Sequence, residues 1–218
     1  MYNEFSVEES KILDKIIEMR RSVRLFKKEL PSKEIVEAIV NAGLWGPYAG
    51  LVGPLDKDFR KFYVTLGEDE KLIKLNEIIK KYLKGFLENF EKEMQENLFI
   101  REKGKNYHKV LSGMVHGGLP GLIEAPCIII VAEKRGIPPV EKQSLAHVME
   151  NMWLKAASLN LGFRLISVIE GLTESKEFCE LLDVNYGEYA FNGCIIGYPE
   201  NEHTQGKRPI LEDVITWL

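Results

Sequence analysis

The run "CIIIVA" at residues 127–132 contains no polar side chain. It has the length of a strand and is far too short to span a bilayer. A strand that is apolar at every position has no face to show to water, so both its faces must be covered. The chain therefore has to place apolar cover on two sides of a sheet, which restricts it to layered architectures. "KFYVTL" (61–66) and "YAFNGCIIGYP" (189–199) read as neighbouring strands, and "FRLISVIEG" (163–171) as a strand that runs into a turn.

The covering helices follow from periodicity. Ser6 and Glu9 have capping-box spacing, and Ile12, Leu13, Ile16 and Ile17 recur at helical intervals, which predicts a helix ending near Met19. A second helix starts near Ser32, carries Ile35, Val36, Ile39 and Val40 on one face, and stops near Gly43. "LWGPYAGLVGP" (44–54) is a loop, broken by Gly46, Pro47, Gly50 and Gly53. Residues 68–100 form one long amphipathic helix, or two joined near Gly85, with Leu72, Leu75, Ile79, Leu83, Phe86, Leu87 and Phe90 apolar. Stretch 110–126 holds a helix that turns through Gly117, Gly118 and Pro120. Residues 144–162 form a long helix ending at a glycine C-cap, and 175–184 a short one. This alternation predicts an α/β or α+β sandwich. A chain of 218 residues, 45% of them hydrophobic, can bury a full core. It has no Ser/Gly-rich linker and no repeat, so a single domain over 1–218 is expected.

The net charge of −4 argues against a general nucleic-acid binder. The acidic, polar N-terminal stretch predicts no secretory leader. Cys127 and Cys194 lie in apolar strands and read as reduced core thiols, so a soluble, cytoplasmic protein without membrane attachment is expected. The histidines show no spacing suited to a metal site. "GGLPG" is not a dinucleotide fingerprint. Against this mildly acidic background, Arg20, Arg21, Ser22 and Arg24 crowd into one short connection, and Lys207 and Arg208 form a second basic cluster near the C-terminus. Either these are solvated basic turns, or the guanidinium forks take an anion, for which phosphate oxygens are a bidentate match.

Three segments carry a family resemblance. Arg20, Arg21, Ser22, Arg24 and Phe26 spell R-R-S-x-R-x-F. "ENMWLKAASLNLG" has Asn151, Met152, Leu154 and Ala156 in place. The ending pattern "GYP…R-P-L-E-E-V" is matched by Gly197, Tyr198, Pro199, Arg208, Pro209, Leu211, Glu212 and Val214. In this order and at this spacing they resemble the FMN-dependent nitroreductase family, over roughly residues 10–66 and 120–218. The resemblance implies an α+β three-layer sandwich with a central, mostly antiparallel sheet flanked by helices. It also implies an intertwined homodimer with FMN at the subunit interface, and a variable helical lid at about 68–118.

Carried over residue by residue, the resemblance puts Arg20, Ser22 and Arg208 on the ribityl phosphate, with Lys207 as a secondary candidate. Arg21 would turn to the flavin's polar edge or to the ribityl chain. Arg24 would face the pyrimidine edge of the ring, unless it forms a surface salt bridge to an acid such as Glu29. "VIEG", with Ile169, Glu170 and Gly171, would present backbone amides to flavin N5, unless it is a plain turn. Pro47, Tyr48, Ala49 and Gly50 would lie beside the ribityl chain or the ring. Tyr48 stands where the family has serine, and the loop's usual Asn and Gln have no counterparts in "LVGPLDKDF". Tyr82, Phe86, Phe90, Phe99 and Tyr107 either line a lid over the ring or pack as helix core, and His108 and His116 are either proton donors or structural. Met149, Met152, Trp153 and Trp217 are either dimer interface or intrachain core.

The function so implied is ping-pong transfer of a hydride from NADH or NADPH, through flavin N5, to an electron-poor small molecule such as a nitroaromatic or a quinone. No catalytic side chain is needed for that, because the cofactor carries the chemistry. A flavin-binding protein with little turnover is the alternative.

Overall fold

The structure is a computed structural model that describes residues 4–48, 57–202, 204 and 206–218. In chain order its elements are helices α1 (Val7–Met19) and α2 (Lys33–Leu44), strand β1 (Arg60–Leu66), helices α3 (Glu70–Glu96), α4 (Leu98–Lys103) and α5 (Lys105–Gly117), and strand β2 (Cys127–Lys134). Helix α6 (Glu141–Ser158), strand β3 (Gly162–Leu165), helices α7 (Val168–Gly171) and α8 (Lys176–Leu181), and strand β4 (Tyr189–Gly197) follow.

The four strands form one antiparallel sheet in the order β1-β2-β4-β3. β2 and β4 occupy its centre and are buried almost throughout, as the apolar run 127–132 requires. Their side chains alternate between two separate cores. Cys127, Ile129, Val131, Cys194 and Ile196 face α2 and α6, where Ile39, Val148 and Met152 close the packing. Ile128, Ile130, Phe191 and Ile195 face α3, α5, α7 and α8, where Leu75, Ile79, Leu111, Ile169 and Phe178 fill the space. The result is helices, sheet, helices: a three-layer α+β sandwich.

The capping box at Ser6 and Glu9 forms, and α1 ends at Met19 as its periodicity predicts. Of the two readings of residues 68–100, the single long helix holds: α3 runs unbroken through Gly85 to Glu96. Two expectations shift. Helix α6 starts at Glu141 and ends at Ser158; the left-handed residue behind it is Asn160, at φ 59°, a conformation asparagine tolerates. Gly162 is therefore not a helix cap but the first residue of β3. It must be glycine for another reason: a Cβ there would stand 2.7 Å from Val23. Last, "VIEG" is a short helix, α7, and not a plain turn.

Met149 and Met152 are buried within their own chain, which decides their role as intrachain core. Trp153 stacks on Phe163 with ring centroids 4.9 Å apart, whereas Trp217 is 87% exposed. Among the described residues, no helix is long and apolar enough to cross a membrane, and no group of His, Cys, Asp and Glu is placed to hold a metal ion.

Candidate functional site

After α1 the chain runs extended beside β3. Ser22 bridges to Phe163 in parallel, the Val23 amide donates to the Phe163 carbonyl at 3.0 Å, and the Lys27 amide donates to the Tyr198 carbonyl at 2.8 Å. The arginine motif is thus sewn to the sheet edge, and Val23 is its buried anchor.

The arginines separate. Arg20 pairs with Glu150 at 3.0 Å, and its guanidinium carbon lies 4.3 Å from the centre of the Trp153 ring. Arg21 turns to the C-terminal segment, where its Nε donates to the Thr204 carbonyl at 2.9 Å. Its own carbonyl accepts from Trp153 Nε1 at 3.2 Å. Arg208 comes to the same place: a Cβ on Gly206 would stand 3.1 Å from Nη2 of Arg21 and 3.1 Å from Nη1 of Arg208. Nη2 of Arg21 is buried and has no hydrogen-bond partner among the described residues. Two cations that meet around a bare backbone, one with a buried unused donor, form a cradle suited to an anion. Lys207 is exposed beside them, its carbonyl accepting from Arg208 Nη1 at 2.9 Å.

Ser22 and Arg24, two apart on the extended segment, face a cavity of about 420 Å³ between α3, α5 and the end of β3. Arg164 of β3 joins them, donating from Nη1 to the Pro120 carbonyl at 2.6 Å. Burial lowers the Arg164 pKa below the usual guanidinium value, and the nearby charge of Arg24 lowers it further. The opposite wall carries Tyr82, Phe86 and Tyr107, with Phe86 6.5 Å from each of the other two ring centroids. Phe90 packs edge-on against Tyr107 at 5.3 Å, and Phe99 is exposed. Neither histidine lines this cavity: His108 contacts Glu91 at 2.8 Å, and Nδ1 of His116 lies 2.7 Å from the Ser112 carbonyl.

From the end of β3 to the start of α7, the cavity is reached by Leu165, Ile166, Ser167 and Val168. Ile169, Glu170 and Gly171 do not line it. Ile169 is fully buried, the Glu170 amide donates to the Ser167 carbonyl at 3.2 Å, and the Glu170 carboxylate pairs with Lys142 at 2.8 Å. Gly171 lies so close to Tyr82 that a Cβ there would be 2.2 Å from the phenol oxygen.

Pro47 and Tyr48 are held by a buried ionic network that sequence reading missed. Arg60 and Glu133 are register partners across β1 and β2, with Nη2 to Oε2 at 2.7 Å. Arg60 Nη1 also donates to the Gly43 and Gly46 carbonyls at 3.1 Å. Nη2 donates to Ser144 Oγ at 3.2 Å, and that hydroxyl donates to the Pro47 carbonyl at 3.1 Å. Tyr48 packs edge-on against Phe59 at 4.1 Å. Burial raises the Glu133 carboxyl above the ordinary carboxylate range, and Ser144 and Arg60 offset only part of the rise. Ala49 and Gly50 lie outside the described residues. A signal for Arg60 and Glu133, and for Arg164, was present in the sequence: each is a charge set in or beside an apolar strand.

The model of the Nitroreductase family matches residues 17–198. No curated protein matches the chain. Among solved structures, a nitroreductase with bound FMN from Bacteroides fragilis superposes with a TM-score of 0.67 at 20% identity, over 94% of this chain and 98% of that one. A nitroreductase with bound FMN from Desulfitobacterium hafniense gives 0.64 at 22% identity, over 100% of both chains. An oxidised iodotyrosine deiodinase bound to FMN and 3-iodo-L-tyrosine gives 0.64 at 20% identity, over 94% of this chain and 98% of that one. At such identities the superpositions establish a shared fold.

Proposed function

Because the chain belongs to the nitroreductase family, we propose that it is an FMN-dependent oxidoreductase that works as a homodimer on electron-poor small molecules. The observation that carries this reading is the meeting of Arg21 and Arg208 around Gly206, with a buried Arg21 donor left over among the described residues. A phosphate of nearly two negative charges satisfies such donors through charge-assisted hydrogen bonds. The ribityl phosphate fits this cradle, with Arg20 and Ser22 flanking it in sequence and Lys207 adding positive charge.

Held there, FMN would supply two-electron chemistry at N5, with NADH or NADPH as donor and a nitroaromatic or quinone-like molecule as acceptor in ping-pong order. The chain's own residues bind and orient. Arg24 and Ser22 stand at the polar side of the cavity, where a fixed positive charge favours the anionic reduced ring. Residues 165–168 close one wall, and Tyr82, Phe86 and Tyr107 offer flat apolar surfaces that exclude water. The Arg60–Glu133–Ser144 network positions the backbone from Gly43 to Pro47. The second subunit is supported by uncovered apolar surface. Helix α1 buries no residue, and Ile12, Leu13, Ile17, Ile210, Val214 and Trp217 are exposed on one chain.

The purified protein is expected to be yellow, with an absorbance maximum near about 450 nm that belongs to any oxidised flavin. It should also oxidise NADH or NADPH when a quinone is present. Arg21→Ala combined with Arg208→Ala should weaken FMN binding by roughly 1.5–3 kcal/mol for each charged hydrogen bond lost. A protein that stays colourless after reconstitution with FMN, or a double variant that retains FMN as tightly as the wild type, would overturn the proposal.

A further inference from the structure

We propose that Arg164 is a specificity determinant that gives the cavity a preference for aromatic acceptors carrying a carboxylate. The inference deepens the proposed function by naming a substrate class; only the word "acceptor" rests on that reading, and the binding preference does not.

Arg164 occupies a costly position. It stands in β3 between Phe163, which is fully buried, and Leu165. Of its five N–H donors, the hydrogen bond to Pro120 uses one, and it forms no ion pair with an acid among the described residues. Arg24 faces the same cavity and also lacks an ion pair among the described residues, so two like charges share one space. Among the described residues, no aspartate or glutamate lines that space. Such an arrangement is relieved by an anion. Of the two arginines, Arg164 is the one anchored at the cavity edge, by its hydrogen bond to the Pro120 carbonyl. Across the cavity, Tyr82, Phe86, Tyr107, Leu111 and Met114 form an apolar and largely aromatic wall. The volume of about 420 Å³ is that of a small-ligand site. A flat apolar ring with an anionic end matches both walls at once, because a planar guanidinium takes a carboxylate bidentately.

The test compares benzoate with benzamide, its neutral isostere, by titration calorimetry on the protein as isolated. Turnover of 4-nitrobenzoate is compared with that of 4-nitrobenzamide. The wild type should prefer the carboxylate in both measurements. Arg164→Gln should lower benzoate affinity by about ten- to a hundred-fold, the worth of one charged hydrogen-bonded contact, and leave benzamide affinity unchanged. Arg164→Lys should restore part of the preference. Flavin absorbance is read on the same samples. A wild type with no carboxylate preference overturns the inference, as does an Arg164→Gln variant that weakens both ligands equally. Loss of FMN on that substitution would do the same, by assigning Arg164 to the cofactor. A wild type without flavin would overturn the proposed function instead, while the benzoate–benzamide difference would still decide this inference.

Discussion

Val23 lies directly against the backbone of Gly162: a Cβ built on that glycine would stand 2.7 Å from three atoms of the valine side chain. The contact joins the arginine motif to the first residue of β3, so the sheet edge determines where Ser22 and Arg24 point. Gly162→Ala should force Val23 outward and loosen the 3.0 Å hydrogen bond from its amide to Phe163. Overpacking of this kind costs about 1–3 kcal/mol. Denaturant unfolding should show that loss, and FMN retention should fall with it, since the residues proposed to hold the phosphate and the ring flank Val23 on both sides.

The Arg60–Glu133 pair supports a second prediction. Both side chains are almost fully buried, so removing one leaves the other uncompensated. Arg60→Met should cost about 3–5 kcal/mol, and adding Glu133→Leu should recover part of it, because a packed apolar pair can replace a buried ionic one. A double-mutant cycle by chemical denaturation measures the coupling.

The raised carboxyl of Glu133 also predicts a pH dependence. Its folded pKa lies above the ordinary value of 4.5, mainly through burial. Its contribution to stability is therefore complete below about 4.5 and is lost as the pH rises through the higher folded value. Glu133→Gln removes that proton equilibrium. Relative to the wild type, the variant should gain stability as the pH is raised from acid, and unfolding curves across that range will show whether it does.

The three cysteines are free and buried. Burial pushes the Cys127 thiol up to about 12 and raises Cys194 and Cys179 as well. No thiol should react with an aromatic disulfide reagent at pH 8 in the native protein, and all should react after unfolding. Rapid labelling of the folded chain would count against the packing described for β2 and β4.

The exposed apolar face of α1 makes the oligomeric state testable. Light scattering should give twice the 25.0 kDa of one chain. Leu13→Glu combined with Ile17→Glu should shift it to a single chain and release FMN, if the partner completes the site as proposed.

Much of this molecule is legible without coordinates, because some features depend only on near neighbours. The serine–glutamate pair that starts α1 lies within one helical turn. The run 127–132 demands two-sided cover wherever it sits. The Arg–Arg–Ser motif gathers positive charge into one short connection, whatever its partners prove to be. Which arginine meets which partner is another matter. Arg20 goes to Glu150, Arg21 meets Arg208, Arg164 joins Arg24, and Met149 and Met152 turn inward. Each of those outcomes depends on residues distant in sequence that the sheet brings together. Local pattern determines which segments become helix or strand and which faces must be dry, but the pairing of charges across space is decided only when those faces close.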